Sequence, residues 1–481
     1  KQVAVIGAGP AGLTTSFYLR KQGHGVTVFD AQNQAGGMMR YGIPAFRLPA
    51  DVLDREIQAI WDLGVLFKPN MRLGTDFSLD DLDAQGFDAV FLGVGAQLSR
   101  RMPLEGCDLP DVLWGIDFLR DVAQGGHVPI KPKVVVIGGG NVAVDVARSV
   151  LRCGAHEVSM ACLEATEQMP ASPWELSDAV AEGVKVLPGL GPDKIQIQEG
   201  RITGLEMVAC TCVFDEKGNF CPQFDTQSKA CLPMDQLILA IGQASDLSFL
   251  PEESPIATRN GMIVVDNAMA TGMDHVYAGG DAVKAPGAIA HAIAAGRKAA
   301  ASIDKALGGQ GDIEEVLFAR NAANPRLGHD DGFAHWPRMA VPQIPVENHC
   351  RGFAEISTGY TEDQARREAG RCLQCDLRLQ ISANPHPPEK WMIFNTEAMA
   401  AVPKTEGVFQ LLNDQHQVLE IKGTANLRED LLAAMDDGSS ASFFTYEEDK
   451  MYSKRESELI QKHLQAHGQM PGAGEDDDDL F

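Results

Sequence analysis

Two glycine-rich segments of this chain have the residue spacing of a phosphate-binding turn. Residues 3–12 read VAVIGAGPAG and residues 134–143 read VVVIGGGNVA, so each apolar run ends in G-x-G-x-x-G/A. In such a turn the first glycine allows a tight bend, and the second lets the backbone approach a pyrophosphate. The small third residue lets helix and strand pack closely. Because the amides and dipole at the helix start hold phosphates, the repeat predicts two dinucleotide-binding units.

A carboxylate follows the second predicted strand of each unit. Residues 23–30 (GHGVTVFD) end in Asp30, and residues 156–162 (HEVSMAC) are followed by Glu164. An acid at this place accepts a hydrogen bond from a ribose hydroxyl group. The alternative for each is a solvated loop carboxylate. We predict that both acids contact a nucleotide.

The elements that position these motifs alternate between strand and helix. This alternation predicts the α/β class, with two Rossmann-like domains, one inserted in the other, followed by small α+β modules. The first part of the outer domain spans residues 1–99, the inserted domain 100–243, and the second outer part 244–310. A linker and the C-x-x-C segment follow in 311–400, of which 311–345 are rich in Asn, Pro and Gly. The terminal modules in 401–481 end in a helix and the acidic run 475–479.

Composition limits the classes of partner. The chain has 481 residues, with 44% hydrophobic and 22% charged, which is typical of a soluble globular protein. Its net charge of −25 argues against nucleic acid as a partner. We see no apolar run long enough to cross a membrane and no signal peptide, so we expect a cytoplasmic location. Lys1 is not a methionine, which fits a processed chain or part of a longer one.

Two further segments carry a resemblance to a known family. Residues 36–49 read GGMMRYGIPAFRLP, and residues 276–282 read VYAGGDA. With both fingerprints, over about residues 1–310, the chain resembles the two-dinucleotide-domain flavoproteins. It is most similar to the small (beta) subunit of glutamate synthase and to relatives in multi-subunit iron–sulfur oxidoreductases. The resemblance implies that the outer domain binds FAD and the inserted domain binds a nicotinamide nucleotide.

The same resemblance implies which residues contact the cofactors. FAD contacts are expected at Gly7, Gly9, Gly12, Asp30, Gly37, Gly280, Asp281 and Ile289, and nicotinamide nucleotide contacts at Gly139, Gly140, Asn141, Val142 and Asp145, with Glu164. The same motifs add Pro10, Ala11, Ala31, Gly36, Met38, Arg40, Ile43, Gly95, Ala96, Gly242 and Ala288 as cofactor-binding residues.

One departure from the family bears on the choice of nucleotide. Members that use NADPH carry Tyr-Arg-Arg, four residues, and then Met-Pro, whereas this chain has Cys162-Leu163-Glu164 before Met169-Pro170. Both arginines that would pair with the 2′-phosphate are replaced, one of them by a carboxylate that repels phosphate. We therefore expect NADH rather than NADPH. Arg148 and Arg152 on the predicted helix remain alternative phosphate ligands.

Ten cysteines in a long cytoplasmic chain do not indicate a disulfide scaffold. Residues 368–376 (EAGRCLQCD) contain C-x-x-C and resemble the cluster-binding helix of this flavoprotein group. A [4Fe–4S] cluster takes four cysteine ligands, so Cys372 and Cys375 cannot hold one by themselves. Cys350 is a candidate third ligand, and the alternative is that a partner chain supplies the rest. A structural zinc site and plain helix packing are the alternatives. Cys210 and Cys212, on one face of a strand, are a weaker metal candidate.

The C-terminal region resembles the core of the GIY-YIG nuclease module. Residues 407–412 and 418–421 predict a hairpin and residues 426–435 a helix. Phe409 and Glu420 stand where the module has its two tyrosines, and Lys422 stands at a glycine. Without the phenol hydroxyls, we expect a degenerate docking module. Residues 452–467 predict one more helix.

These patterns together predict a flavoprotein oxidoreductase subunit. It would pass electrons between NADH and the iron–sulfur centres of redox partner subunits through FAD, with no catalytic acid or base. The sequence leaves open the direction of flow, the final acceptor and electron bifurcation. An NADPH-dependent glutamate synthase small subunit and a non-catalytic flavin-holding scaffold are the alternatives.

Overall fold

The computed structural model describes residues 1–215, 219–251, 253–284, 287–313, 336–350, 352–371, 391–467 and 470–472. The chain divides into two compact units, Lys1–Asn321 with Arg338–Arg367 and Ala322–Pro337 with Glu368–Phe481. Residues 338–367, which the sequence predicts to be part of a linker segment, thus group with the first unit. No helix in the described ranges is long and apolar enough to span a membrane.

The first unit begins with alternating strands and helices, because short β-branched runs are separated by amphipathic segments. The elements are β1 (Gln2–Ile6), α1 (Pro10–Lys21), β2 (Gly25–Phe29), α2 (Met38–Tyr41), α3 (Ala50–Asp62), β3 (Leu66–Lys68), α4 (Leu79–Ala84), β4 (Ala89–Leu92) and β5 (Leu98–Ser99). The strand β1 lies centrally and is buried on both faces, with Val3, Ala4 and Val5 fully inaccessible.

A second group of elements follows, with one parallel and one antiparallel sheet. It contains β6 (Val112–Trp114), α5 (Gly115–Ala123), β7 (Lys133–Ile137), α6 (Asn141–Arg152), β8 (Glu157–Ala161), α7 (Pro173–Ala181), β9 (Lys185–Leu187), β10 (Leu190–Gln198), β11 (Arg201–Phe214), β12 (Phe220–Pro233) and β13 (Gln236–Leu239). The sheet order is β6-β13-β7-β8-β9, and β10-β11-β12 form a separate antiparallel sheet.

The chain then returns to the first sheet. It passes through β14 (Gln243–Ala244), β15 (Thr258–Arg259), β16 (Met262–Ile263), β17 (Val276–Ala278), α8 (Ile289–Ala306), α9 (Val346–His349) and α10 (Glu362–Gly370). The strand β17 pairs in parallel with β4, which completes the order β17-β4-β1-β2-β3. This pairing confirms the predicted fold class, in which one dinucleotide-binding domain is inserted in the other.

The second unit is a small α+β module. Its elements are β18 (Met392–Ile393), α11 (Thr396–Met399), β19 (Gly407–Leu412), β20 (Val418–Thr424), α12 (Leu427–Asp436), β21 (Phe443–Glu448) and α13 (Tyr452–His467). The predicted hairpin and both predicted helices are present. Phe409 is fully buried in the core of this module, Glu420 is exposed, and Lys422 Nζ lies 3.6 Å from Asp430.

Candidate functional site

A cavity of about 460 Å³ in the first unit is lined by the starts of the two helices that follow the glycine turns. The start of α1 contributes Gly9 and Pro10, and the start of α6 contributes Asn141 and Val142. Strand ends of the first sheet form another part of the wall, as is usual for ligand sites in parallel sheets. The sequence-predicted residues that line this cavity are Gly7, Gly9, Pro10, Ala11, Asp30, Ala31, Gly37, Met38, Ile43, Gly95, Asn141, Val142, Asp145, Gly280, Asp281, Ala288 and Ile289.

The first turn has the close backbone contacts that its glycines predict. Gly7 has φ +102°, and a Cβ there would lie 2.4 Å from the carbonyl oxygen of Gly93. A Cβ on Gly12 would lie 1.9 Å from the Gly7 oxygen, so Gly12 serves helix–strand packing rather than lining the cavity. Gly37 has φ +53°, and its Cβ would lie 2.7 Å from the Cα of Gly9. The cradle beside α1 therefore requires hydrogen at each of these positions.

The N-terminus of α1 is suited to an anion. Its N-cap is Gly9, no side chain caps the helix, and its first turn has no acidic residue. Its first amides therefore remain available to a phosphate at the cavity wall. The helix α6 has the same properties, with Gly140 as its N-cap. Both helix ends fit a pyrophosphate group.

Asp30 is held at the edge of the first turn. Its two carboxylate oxygens accept from the backbone N–H of Ala8, at 2.6 Å, and of Gln32, at 2.7 Å. Burial raises the pKa of Asp30, and the two backbone hydrogen bonds oppose that rise. Each oxygen retains a second lone pair, so the carboxylate can also accept from a ribose hydroxyl.

Four predicted residues of the FAD domain are not part of the cavity lining. Besides Gly12, these are Gly36, Arg40 and Ala96. The Gly36 amide donates to the carbonyl oxygen of Ala8 at 2.8 Å, which holds the loop against the first turn. Arg40 donates to the carbonyl of Ala35 and pairs with Asp54. Gly36 and Arg40 therefore stabilise the loop 36–49 and do not line the cavity.

Glu164 reaches the second fingerprint. A Cβ on Gly139 would lie 2.7 Å from Glu164 Oε2, so this carboxylate lies directly beside the glycine turn. Burial and the Glu164 charge raise the pKa of the neighbouring Cys162 to about 11. Gly139, Gly140, Glu164 and Gly242 lie outside the lining of the main cavity. Glu164 is half-buried and occupies the place expected for a ribose ligand.

Arg148 and Arg152 are not phosphate ligands in this structure, contrary to the alternative that the sequence left open. Both guanidinium groups donate to Glu182, with Arg148 Nη2 at 2.7 Å and Arg152 Nη1 at 2.7 Å. Both also lie against the ring of Phe46, at 4.9 and 3.9 Å from its centroid. The two arginine side chains are 3% and 0% exposed, which leaves them no access to solvent or to a nucleotide.

Sequence reasoning missed a charged cluster at the cavity. Arg47 Nη1 lies 2.6 Å from Asp145 Oδ2, and the same guanidinium pairs with Glu175 on α7. Arg47 and Asp145 line the cavity. The sequence did contain a signal for this cluster, because Arg47 is the one charged residue in the run 43–49 (IPAFRLP). Its partners lie about a hundred residues away, and no spacing rule connects them.

Other polar residues of the lining also went unrecognised. Gln97 Oε1 and Arg120 Nε are buried and have no hydrogen-bond partner among the described residues. Such orphaned atoms fit a polar ligand. Arg72 lies at the cavity and pairs with Asp246 at 3.1 Å. The lining thus supplies more hydrogen-bonding groups than the motifs alone predict.

The cysteines that the structure describes are free thiols. Cys350 Sγ lies 4.0 Å from Glu182 Oε2, and burial with the Glu182 charge raises the pKa of this thiol. Such surroundings work against a thiolate ligand. Within the described ranges no three metal-ligating side chains come together, Cys210 and Cys212 included. Cys372 and Cys375 lie outside the described residues.

Comparison with known proteins finds relatives among oxidoreductase subunits. The chain is 38% identical over 385 residues to the NADP(+)-dependent formate dehydrogenase subunit beta of Moorella thermoacetica, covering 78% of this chain and 54% of that one. It is 36% identical over 321 residues to the glutamate synthase [NADPH] small chain of Escherichia coli K12, covering 63% and 68%. The chain thus spans little more than half the length of the formate dehydrogenase subunit.

The fold also matches a solved structure, Mycobacterium tuberculosis FprA in complex with NADPH. The TM-score is 0.56 at 18% identity, over 64% of this chain and 84% of FprA, which is a likeness of fold alone. Residues 1–299 match the family model described as pyridine nucleotide-disulphide oxidoreductase. With two nucleotide-binding domains built around one cavity, the chain belongs to the pyridine nucleotide-disulphide oxidoreductase family.

Proposed function

We propose that this chain is a flavoprotein electron-transfer subunit that exchanges hydride with NADH and electrons with iron–sulfur centres of a partner. One observation carries the proposal: the N-termini of α1 and α6 meet the same cavity. Two uncapped helix ends at one cavity favour two dinucleotides with their reactive ends close together. The matching relatives are named as subunits or chains of larger oxidoreductases, which supports a redox partner.

In this proposal the chain binds and orients, and FAD, when bound, supplies the hydride-accepting and one-electron chemistry. The α1 N-terminus and the glycines 7, 9 and 37 hold the pyrophosphate, and Asp30 accepts from the adenosine ribose. The apolar side chains of Met38 and Ile43 exclude water from the wall they form. No side chain is required to add or remove a proton.

We also propose that NADH is preferred to NADPH. Glu164 lies beside the second glycine turn, where a 2′-hydroxyl can donate to it and a 2′-phosphate would be repelled. Arg148 and Arg152 on α6 are paired with Glu182, so they cannot offset the repulsion between Glu164 and a 2′-phosphate. The names of the two relatives point instead to NADP, so the proposal makes this chain a departure from them.

An anaerobic titration of the FAD-loaded protein with each nicotinamide nucleotide tests this function. Flavin absorbance should bleach with NADH at a much lower concentration than with NADPH. A preference for NADPH would overturn the cofactor assignment. Bleaching by neither nucleotide would contradict the function and favour a flavin-holding scaffold.

The second candidate is an NADPH-dependent glutamate synthase small subunit. The 36% identity to the Escherichia coli small chain, over 68% of its length, favours it. The carboxylate at Glu164 and the additional C-terminal unit weigh against it. Preference for NADPH, together with support of glutamate formation by a large subunit, would establish this candidate.

The iron–sulfur part of the proposal depends on the C-x-x-C motif. We propose Cys372 and Cys375 as two ligands of a shared cluster, and the role of Cys350 as a third stays a prediction. Anaerobic reconstitution with iron and sulfide should produce a cluster spectrum that Cys372→Ser and Cys375→Ser abolish. The control Cys210→Ser should leave it unchanged. A spectrum that survives in both C-x-x-C variants would contradict the assignment.

We propose that the second unit is a docking module and not a nuclease. Phe409 offers no hydroxyl and is buried in the core, and Glu420 supplies a carboxylate where the nuclease module has a phenol hydroxyl. Magnesium-dependent cleavage of plasmid DNA by the purified chain would contradict this proposal. Retention of the redox partner by the full chain, lost on deletion of residues 401–481, would support it.

A further inference from the structure

Phe46 and Arg47 are neighbours in the loop 36–49, and the described lining of the cavity includes Arg47 but not Phe46. The Arg47 guanidinium donates to Asp145 at the cavity wall, with Nη1 at 2.6 Å from Oδ2. The Phe46 side chain is 1% exposed. Because the two residues share one stretch of backbone, the contacts that fix Phe46 also limit where Arg47 can lie. The surroundings of Phe46 therefore bear on the cavity.

Two arginines of α6 contact the Phe46 ring. The guanidinium of Arg152 lies 3.9 Å from the ring centroid, and that of Arg148 lies 4.9 Å from it. Both guanidinium groups are themselves paired with Glu182. The attraction between a cation and an aromatic face is stronger when both are removed from water, as they are at this place. The inserted domain thus provides one set of contacts to the ring.

A segment late in the chain provides a second set of contacts. We call residues 342–350 and 352–358 the strap. The Phe353 ring lies against the Phe46 ring, with 6.2 Å between their centroids. The backbone N–H of Ile356 donates to the carbonyl oxygen of Phe46 at 3.1 Å. The strap therefore contacts both the side chain and the backbone of Phe46.

The strap is fixed at its other end by the carboxylate that pairs with the arginines. His349 is 3% exposed, and its Nδ1 lies 3.2 Å from Glu182 Oε1. Its Nε2 lies 2.9 Å from the carbonyl oxygen of Ile344, and the Ile344 N–H donates to the Ile356 carbonyl oxygen at 3.0 Å. The strap and the α6 arginines thus share Glu182 as a partner, so the two sets of contacts to Phe46 are fixed relative to each other.

We propose that Phe46 and Phe353 are positioning residues for nicotinamide nucleotide binding: the strap and the α6 arginines clamp Phe46, and this clamp fixes Arg47 at the cavity wall. The inference rests on the proposed function and adds a set of residues outside the cavity that controls nucleotide affinity. A wall that is already ordered in the free protein loses little conformational entropy when the nucleotide enters. Loosening the clamp should therefore weaken nucleotide binding.

The test measures nucleotide affinity without hydride transfer. Isothermal titration of the FAD-loaded protein gives the dissociation constant for NAD⁺ or NADP⁺, whichever the wild type binds more tightly. Phe353 is half-buried, and Phe353→Ala removes its ring from Phe46. That variant should raise the dissociation constant by about threefold to tenfold, which corresponds to ordering one or two more side chains on binding. Phe353→Leu keeps an apolar side chain against the ring and should restore most of the affinity.

A matched control and a double variant separate positioning from general loss of packing. Phe220→Ala makes the same change at a phenylalanine that is 65% exposed, and the dissociation constant should stay at the wild-type value. In an Arg47→Gln background, adding Phe353→Ala should change the dissociation constant by less than about twofold, because the guanidinium that the clamp positions is absent. Hydrogen exchange of residues 43–48 in the FAD-loaded protein should be faster in Phe353→Ala than in the wild type.

Several results would contradict the inference. Equal dissociation constants for the wild type and Phe353→Ala would show that the clamp does not act on the nucleotide, and an equal rise in Phe220→Ala would show a general effect. Additive effects of Arg47→Gln and Phe353→Ala would overturn the role of Arg47. These results leave the proposed function intact, whereas a wild type that binds neither nucleotide would contradict both. If flavin content and circular dichroism show that Arg47→Gln misfolds, Arg47→Lys takes its place in the double variant.

Discussion

The guanidinium of Arg152 donates two hydrogen bonds to the Glu182 carboxylate, at 2.7 and 2.9 Å, with both side chains fully buried. His349 also contacts Glu182, with Nδ1 at 3.2 Å from Oε1. Phe46, whose ring lies against Arg152, accepts at its carbonyl oxygen from the backbone N–H of Ile356 at 3.1 Å. The Glu182 carboxylate thus connects α6, the C-terminal end of α7 and α9.

Glu182→Gln should destabilise the first unit strongly. The change leaves two buried guanidinium groups without a counter-charge, which costs about 3–5 kcal/mol in comparable buried pairs. Thermal unfolding at neutral pH should show a clear fall in Tm. The control Glu157→Gln removes the partner of an exposed pair with Lys185 and should change Tm little.

The ion pairs of Glu182 with Arg148 and Arg152 predict that stability depends on pH. Burial alone would raise the pKa of Glu182, but the hydrogen bonds from Arg152 and Arg148 lower it to about 2, from an ordinary value of 4.5. A lowered folded pKa stabilises the protein above pH 4.5, and this contribution is lost as the pH falls toward 2. The Tm difference between wild type and Glu182→Gln should therefore narrow below pH 4.5. A Tm difference that stays constant below pH 4.5 would show that the pKa of Glu182 is not lowered in the folded protein.

Glu164→Arg should move the nucleotide preference toward NADPH. The substitution replaces a repelling carboxylate beside Gly139 with a guanidinium that can pair with the 2′-phosphate. We expect the ratio of dissociation constants for NADPH and NADH to fall by about tenfold or more, measured by flavin reduction. Glu167→Arg makes the same charge change at an exposed residue three positions on, and an equal effect there would show general electrostatics instead.

Alanine substitutions at Gly12 and Gly140 should distinguish a glycine needed for helix–strand packing from one needed for nucleotide binding. Gly12→Ala places a Cβ 1.9 Å from the Gly7 oxygen, so the backbone must shift, and flavin content and stability should both fall. Gly140→Ala meets no atom within 4 Å and has an ordinary φ of −95°. That variant should fold and keep FAD but bind NADH more weakly, because the Cβ occupies the pyrophosphate approach. Loss of FAD in Gly140→Ala would contradict the division of roles.

Nicotinamide nucleotide affinity should depend on pH through Asp145. Burial raises the pKa of this carboxyl to about 6, although the Arg47 charge and hydrogen bond oppose the rise. Above pH 6 the carboxylate is ionised and accepts from a donor, and below pH 6 protonation removes the charge. Affinity for NAD⁺ should therefore fall as the pH drops from 7 to 5. Affinity for ADP-ribose, which lacks nicotinamide, should change much less over the same range.

Local patterns in the sequence were sufficient for the elements and for the turns. Both fingerprints follow short buried strands, and the role of Gly12 depends on the Gly7 oxygen, five residues before it. The insertion of one domain in the other followed from residues 276–282, whose strand β17 pairs with β4 of the first sheet. Such features are local because strand, turn and helix are set by residues within about thirty positions.

The sequence by itself determined the fold class, the family and the two fingerprint helices. Only the tertiary structure decided which way the long charged side chains point. Arg148 and Arg152 turn to Glu182, and Arg47 crosses to Asp145, 98 residues away. Several staggered rotamers are open to an arginine, and the buried carboxylate that packing brings within reach selects one of them. That partner is a property of the assembled layers, and motif spacing does not encode it.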